Sequence, residues 1–252
     1  MDTSWNKVAA WYRDVVHGPE SYQTRVVLPN LLRIVAPVKG LRVCDIACGE
    51  GFIARSFATM GASVSGVDLG AELITLAKQS DTPLNPVTYY VAPAEKLPIP
   101  DASCDVATIT LALQNMEHIA PVLKEASRIL VPNGRLVITL NHPAFRIPKK
   151  TSWGYDEASK IQYRRLDGYL SESRAEIDME PGKTAKGGKG AITYSFHRSL
   201  QNYVKSLANA GFLIARMEEW TSHRKSEGAR AHAEDTARKE FPLFLMLEAV
   251  KK

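Results

Sequence analysis

Val43-Cys44-Asp45-Ile46-Ala47-Cys48-Gly49-Glu50-Gly51-Phe52-Ile53-Ala54 is the stretch that decides the fold. A short apolar segment at residues 41–46 runs through a glycine-bearing turn into residues 52–60, whose apolar positions recur at helical spacing. A strand, a tight turn and a helix in that order open a nucleotide-binding βα unit. The same rhythm continues outward from it. Strands are expected at 62–68, 86–91, 104–111 and 135–140, with amphipathic stretches at 71–79 and 121–130 and a Pro-Asn-Gly turn at 132–134. Alternating β and α segments with short connections predict an α/β fold, a doubly wound, mostly parallel sheet covered on both faces.

Such a turn fits a dinucleotide, another nucleotide ligand or no ligand at all. Asp45 narrows the choice. Backbone amides at the helix start would hold a pyrophosphate, and a carboxylate at the strand end would repel it. Asp45 suits a cationic ligand with an ammonium group instead. Asp68 ends the second strand, where an acidic side chain accepts hydrogen bonds from ribose hydroxyls. A ligand with a ribose, a positive charge and no phosphate is S-adenosylmethionine.

Composition bounds the remaining possibilities. The 252 residues are 45% hydrophobic, ordinary for a globular chain, so disorder is excluded as the main character. The longest apolar run near the end, 241–247, is far below the ~20 residues that cross a bilayer, and residues 1–7 lack a secretion-signal layout. Three cysteines, none in a Cys-x-x-Cys pair, argue against a disulfide framework or a zinc site and for a cytoplasmic protein. The net charge of +5 is uneven: residues 146–198 hold 11 basic and 7 acidic side chains, while residues 1–145 hold 12 and 13. That surplus is too modest to point to nucleic acid as the partner.

The pattern Asp45-x-Ala47-x-Gly49-x-Gly51 resembles the first motif of the class I S-adenosylmethionine-dependent methyltransferases. Asp68 matches their ribose-binding acid, Ala94-Glu95-Lys96-Leu97-Pro98 the loop along the adenine, and residues 130–138 the approach to the fifth strand. The likeness covers residues 40–142. The order of segments is similar to the small-molecule methyltransferases of ubiquinone and menaquinone biosynthesis, which have N-terminal helices and an insertion after strand five. The resemblance implies a seven-stranded Rossmann-like sheet in one domain over 1–252, with a helical lid at 1–38 and an acceptor-binding insertion at 143–197. It implies cofactor contacts at Asp45, Ala47, Cys48, Gly49, Gly51, Asp68, Leu69, Ala94, Glu95 and Leu111, with Tyr12 and Tyr22 from the lid, and S-adenosylhomocysteine as product. Two departures stand out: Ala47 replaces the commoner glycine, and Pro93 replaces an acid that contacts the adenine amine.

The acceptor region is less informative. Catalysis can rest on holding the acceptor in line with the donor, and a base is needed only if the acceptor must lose a proton. His142 after the fifth strand and His118 after the fourth are the candidate bases, while His197 reads as structural. Residues 111–118 lack the Asn/Asp-Pro-Pro-Tyr sequence of amine-methylating relatives, which disfavours nucleobase amines. The expected enzyme methylates an O, C or N atom of a small molecule, as a monomer or homodimer. An RNA or protein methyltransferase and an inactive cofactor-binding protein are the alternatives. Trp5, Trp11, Tyr12 and Tyr22 would fold over the cofactor, Phe145, Trp153, Tyr155, Tyr163 and Tyr169 would wall an acceptor pocket, and Arg146, Arg164 and Arg165 could meet an anionic group on the acceptor.

Overall fold

The computed structural model describes Trp5 and residues 18–252 apart from 186 and 189. Strands β1 (Arg42–Ile46), β2 (Ser63–Asp68), β3 (Thr88–Val91), β4 (Cys104–Thr110), β5 (Leu130–Asn141), β10 (Phe212–Trp220) and β11 (Phe244–Lys251) form one seven-stranded sheet in the order β10-β11-β5-β4-β1-β2-β3. β1 to β5 pair in parallel, and β11 runs antiparallel between β5 and β10. Four of the five β1 residues are buried, as a central strand covered on both faces requires.

Helices α1 (Leu28–Val35), α2 (Phe52–Thr59) and α3 (Ala71–Gln79) cover one face through stripes such as Ile53, Ala54, Phe57 and Ala58. α4 (Ile119–Ile129) and α5 (Leu200–Asn209) cover the other with Val122, Leu123, Ala126, Tyr203 and Leu207. Arg135 on β5 donates to the carbonyls of Ile34 and Val35 and pairs with Glu248 at 3.0 Å, so one cation caps the end of α1 and ties it to the sheet. Arg42 and Asp105 join β1 to β4 at 2.7 Å.

The predicted turn at 132–134 is an excursion within β5: Cys104 pairs Leu130 and Val106 pairs Arg135, so the residues between loop out, with Asn133 at φ 62°. The insertion is two antiparallel hairpins. One is β8 (Ser173–Asp178) with β9 (Ile192–His197), whose alternating flanks read as strands in the sequence. β6 (Thr151–Asp156) with β7 (Ile161–Leu166) was not foreseen. Nor was α6 (Ala231–Glu240), which lies where the sequence reads as a charged loop, and the last strand starts at Phe244 rather than Phe241. Of the helical lid expected at 1–38, residues 1–17 lie outside the described residues, Trp5 excepted, and the remainder contains a π-helical turn at Gln23–Val27 running into α1. Among the described residues no helix is long and apolar enough to cross a membrane.

Candidate active site

The carboxyl ends of β1, β2 and β4 open onto a cavity of about 310 Å³, within the size range of small-ligand sites. A smaller one, about 50 Å³, adjoins it; Ala47, Gly49, Thr110 and Leu111 line both. The larger holds Asp68, Leu69, Ala92, Ala94 and Glu95 on one side and Asn115, Met116 and Glu117 on the other, with Trp5 also lining it. The smaller holds Asp45, Cys48, Glu50, Phe52 and Gln23.

Asp68 shapes the glycine turn. Its Oδ2 accepts from the Gly49 amide at 2.9 Å and its Oδ1 from the Gly70 amide at 2.7 Å. Burial raises its pKa, and these backbone bonds oppose the rise. A carboxylate has about four acceptor sites, so capacity remains for a ribose hydroxyl. Gly51 caps α2 at φ 83°, a conformation that costs an L side chain about 1–2 kcal/mol. A Cβ on Gly66 would stand 2.8 Å from the Tyr89 ring and 3.0 Å from Cys48 Sγ. Tyr89 thus underpins the turn from β3. Ala47 at φ 57° and Leu111 at φ 53° hold left-handed conformations without being glycine, and both line the cleft. Backbone strain gathered at one site is a mark of function.

Asp45 is buried and accepts the Thr108 hydroxyl at 2.7 Å. Burial pushes its pKa up to about 7 against that hydrogen bond, with the Asp68 and Glu50 charges adding to the rise. Because the folded value exceeds the ordinary 3.8, Asp45 stabilises the unliganded fold fully below that value and loses the contribution as pH rises through about 7. The Tm of the unliganded protein is therefore expected to fall as pH rises from 3.8 to about 7 and to level off above that, and Asp45→Asn should flatten the slope. A bound ammonium group favours the ionised form, so cofactor affinity should rise over the same window. A wild-type slope in Asp45→Asn would show that another group titrates.

Thr110 Oγ1 is buried on the cleft wall with no hydrogen-bond partner among the described residues. An orphaned hydroxyl that lines both cavities is what a polar ligand would satisfy. The donor set therefore fits S-adenosylmethionine: carboxylates for the ribose and the ammonium group, an open hydroxyl lining both cavities, and Ala92 and Ala94 as an apolar wall.

The remaining expected residues divide. Gly51 supports the turn without lining either cavity. Tyr22 packs edge-on to Phe244 at 5.8 Å and bonds Ser222 at 3.0 Å, beside Gln23 of the smaller cavity. Tyr12 lies outside the described residues. His118 is exposed ahead of α4, next to Glu117 on the cavity wall. His142 is buried with both nitrogens engaged: Nε2 donates to Glu219 at 2.7 Å, and Nδ1 accepts the Ala144 and Phe145 amides at 3.2 and 3.3 Å. Burial lowers its pKa, with Glu219 opposing. It lines neither cavity and holds the loop after β5. His142→Ala should destabilise the fold by about 1–3 kcal/mol, read as a lower Tm. Loss of turnover at unchanged Tm would instead identify it as a base. His197 bonds the Tyr169 carbonyl at 2.8 Å.

The insertion aromatics do not form one wall. Phe145 and Trp153 meet Phe241, Tyr155 lies under Arg230, Tyr163 covers Gly154, and the Tyr169 hydroxyl accepts the Leu200 amide. Sequence reasoning passed over Thr110, Gln23, Asn115, Met116 and Glu117 as site residues. The Thr108/Thr110 alternation on β4 was the available signal for the first. A π-helical turn leaves none for Gln23.

The family described as a methyltransferase domain matches residues 44–138, the span from β1 into β5. The demethylmenaquinone methyltransferase of Tropheryma whipplei is 30% identical over 112 residues, 44% of this chain and 46% of that protein. The ubiquinone/menaquinone biosynthesis C-methyltransferase UbiE of Rubrivivax gelatinosus is 34% identical over 117 residues, 46% of each. The chain thus spans about half the length of these curated relatives. The crystal structure of an S-adenosylmethionine-dependent methyltransferase from Mesorhizobium loti is 28% identical with a TM-score of 0.69, covering 88% of this chain and 96% of its own. With the sheet order, the glycine turn and the two carboxylates already in place, these likenesses show that the chain carries an S-adenosylmethionine-dependent methyltransferase domain of the class I type.

Proposed function

We propose that the chain transfers a methyl group from S-adenosylmethionine to an O, C or N atom of a small-molecule acceptor by in-line displacement. The observation that carries this reading is the joined pair of cavities, with Asp68 lining one, Asp45 the other and the orphaned Thr110 hydroxyl lining both. When bound, the cofactor supplies a methyl group activated by its sulfonium. Asp68 grips the ribose while holding the Gly49 amide, and Asp45 with Thr108 neutralises the ammonium. The backbone near Ala94 and the apolar wall receive the adenine, since Pro93 offers no acid. Leu111 and Met116 narrow the mouth, and Trp5 covers the cavity, which keeps water from the reacting atoms. For an acceptor that must lose a proton, His118 is the available base, because its imidazole is exposed beside the Glu117 wall while the His142 ring is committed to its loop.

A small molecule is favoured over RNA or protein by the cavity's size and by how the basic insertion spends its charge. Arg174 lies 3.7 Å from the centroid of Tyr194, and Arg165 pairs with Asp167 at 3.0 Å. The relatives named for quinone methylation point the same way. With Cys44, Cys48 and Cys104 as free thiols, we place the enzyme in the cytoplasm, as a monomer or homodimer. The test is incubation with methyl-labelled cofactor and separate small-molecule, RNA and protein fractions of a cell extract. Label in the small-molecule fraction with matching release of S-adenosylhomocysteine supports the proposal. Label only in polymer, or cofactor binding without transfer, contradicts it.

A further inference from the structure

Past the cofactor cleft, Arg146 just after β5 and Arg164 on β7 are two of the insertion arginines expected to meet an anionic group. Arg146 Nη1 donates to Asn141 Oδ1 at 2.8 Å, and its guanidinium lies 5.7 Å from the centroid of Phe244. Asn141 and Phe244 are partners across β5 and β11, so Arg146 lies over the carboxyl edge of the sheet. Among the described residues no carboxylate pairs with it, and its Nε/Nη2 edge has no hydrogen-bond partner yet is not sealed from solvent. Burial lowers its pKa, and the neighbouring charge of Arg164 lowers it further. Arg164 has no carboxylate partner either: it donates to the Phe145 carbonyl and Thr151 Oγ1 and stacks on Trp153 at 4.7 Å. An arginine cannot shed its charge, so two desolvated cations without counter-ions are costly to the protein alone.

Their position relative to the cleft is fixed by strand register. Asp45 is opposite Thr108, Thr110 opposite Thr139, and Asn141 opposite Phe244. Residues two apart on a strand share a face, so these form one diagonal row on the face that α1 and α2 cover. Thr110 and Asn141 are one strand and two residues apart, about 8 Å by ordinary sheet spacing. That separation is the length of a small aromatic ring with one substituent. Rings stand around the arginines: Phe145 and Trp153 each meet Phe241 edge-on, at 5.5 and 5.4 Å, and Tyr22 meets Phe244.

Resting on the methyl-transfer reading, we infer that Arg146, with Arg164 behind it, receives the carboxylate of the acceptor, a small aromatic acid whose ring extends from Asn141 toward Thr110. The Nε/Nη2 edge presents two parallel N–H donors, the geometry that a planar carboxylate accepts bidentately. Phe145, Phe241 and Trp153 line the approach.

The test is calorimetric titration of the protein saturated with S-adenosylhomocysteine, using benzoate against benzamide and 4-hydroxybenzoate against 4-hydroxybenzamide. Each acid is expected to bind about 10-fold or more tightly than its neutral amide. Arg146→Gln should erase that preference, Arg146→Lys should restore part of it, and Arg164→Gln should weaken it. S-Adenosylhomocysteine affinity should stay unchanged in all three, which also reports that they fold. Equal binding of acid and amide, a wild-type preference in Arg146→Gln, or no binding of either acid to the saturated protein overturns the inference while leaving the proposed function intact. Failure of S-adenosylhomocysteine itself to bind would instead remove the function, and the inference with it.

Discussion

Asp68→Ala is expected to lower the affinity for S-adenosylmethionine about 100-fold or more, because hydrogen bonds to a charged acceptor contribute about 1.5–3 kcal/mol each. The effect has two parts. The ribose loses its acceptors, and the amides of Gly49 and Gly70 lose the oxygens that fix the turn at 2.9 and 2.7 Å. Asp68→Asn separates them, since one amide oxygen can still hold a backbone N–H while the charge is gone. Its affinity should fall between wild type and Asp68→Ala, with a smaller loss of Tm. Equal cofactor affinity in wild type and Asp68→Ala, measured by calorimetry, would remove Asp68 from the site.

Gly51→Ala should be strongly damaging for a single added methyl group. At φ 83° the new Cβ would stand 2.4 Å from the Tyr89 hydroxyl and 2.8 Å from Arg55 Nη1. Left-handed strain and overpacking together cost about 2–4 kcal/mol, a fall in Tm of about 5–10 °C for a chain of this size. Cofactor binding should weaken with it, because the displaced turn carries Gly49. Tyr89→Phe in the same chain removes the nearest clashing atom but leaves the ring carbon at 3.0 Å, so it should recover part of the loss. No recovery would mean that backbone strain, rather than Tyr89, sets the cost.

What the sequence made legible follows from how local each signal is. The turn at 47–51 announces itself through glycine and a strand-to-helix change of period, and the five parallel strands through short apolar runs. The β6–β7 hairpin depends on Gly154 lying opposite Tyr163 and on Arg164 stacking over Trp153, pairings set only once the chain is folded. α6 buries Ala237 and almost nothing else, so it has no apolar stripe for periodicity to find. His142 was singled out for its place after β5, and its commitment to Glu219 comes from β10, far along the chain. Asp45 was read as a charged partner for an ammonium group, but its burial and the pKa near 7 that follows are properties of the packed sheet. The arginines of the insertion were visible as a charge surplus. Which of them lack a counter-ion was not.

The most direct test of the central claim is calorimetric titration of the whole chain with S-adenosylmethionine, S-adenosylhomocysteine and NAD in parallel. Two carboxylates facing a phosphate-free, cationic nucleoside predict about micromolar binding of the first two ligands and none of NAD. Binding of NAD, or of none of the three, would contradict the account and leave residues 45–51 as a glycine turn without a ligand.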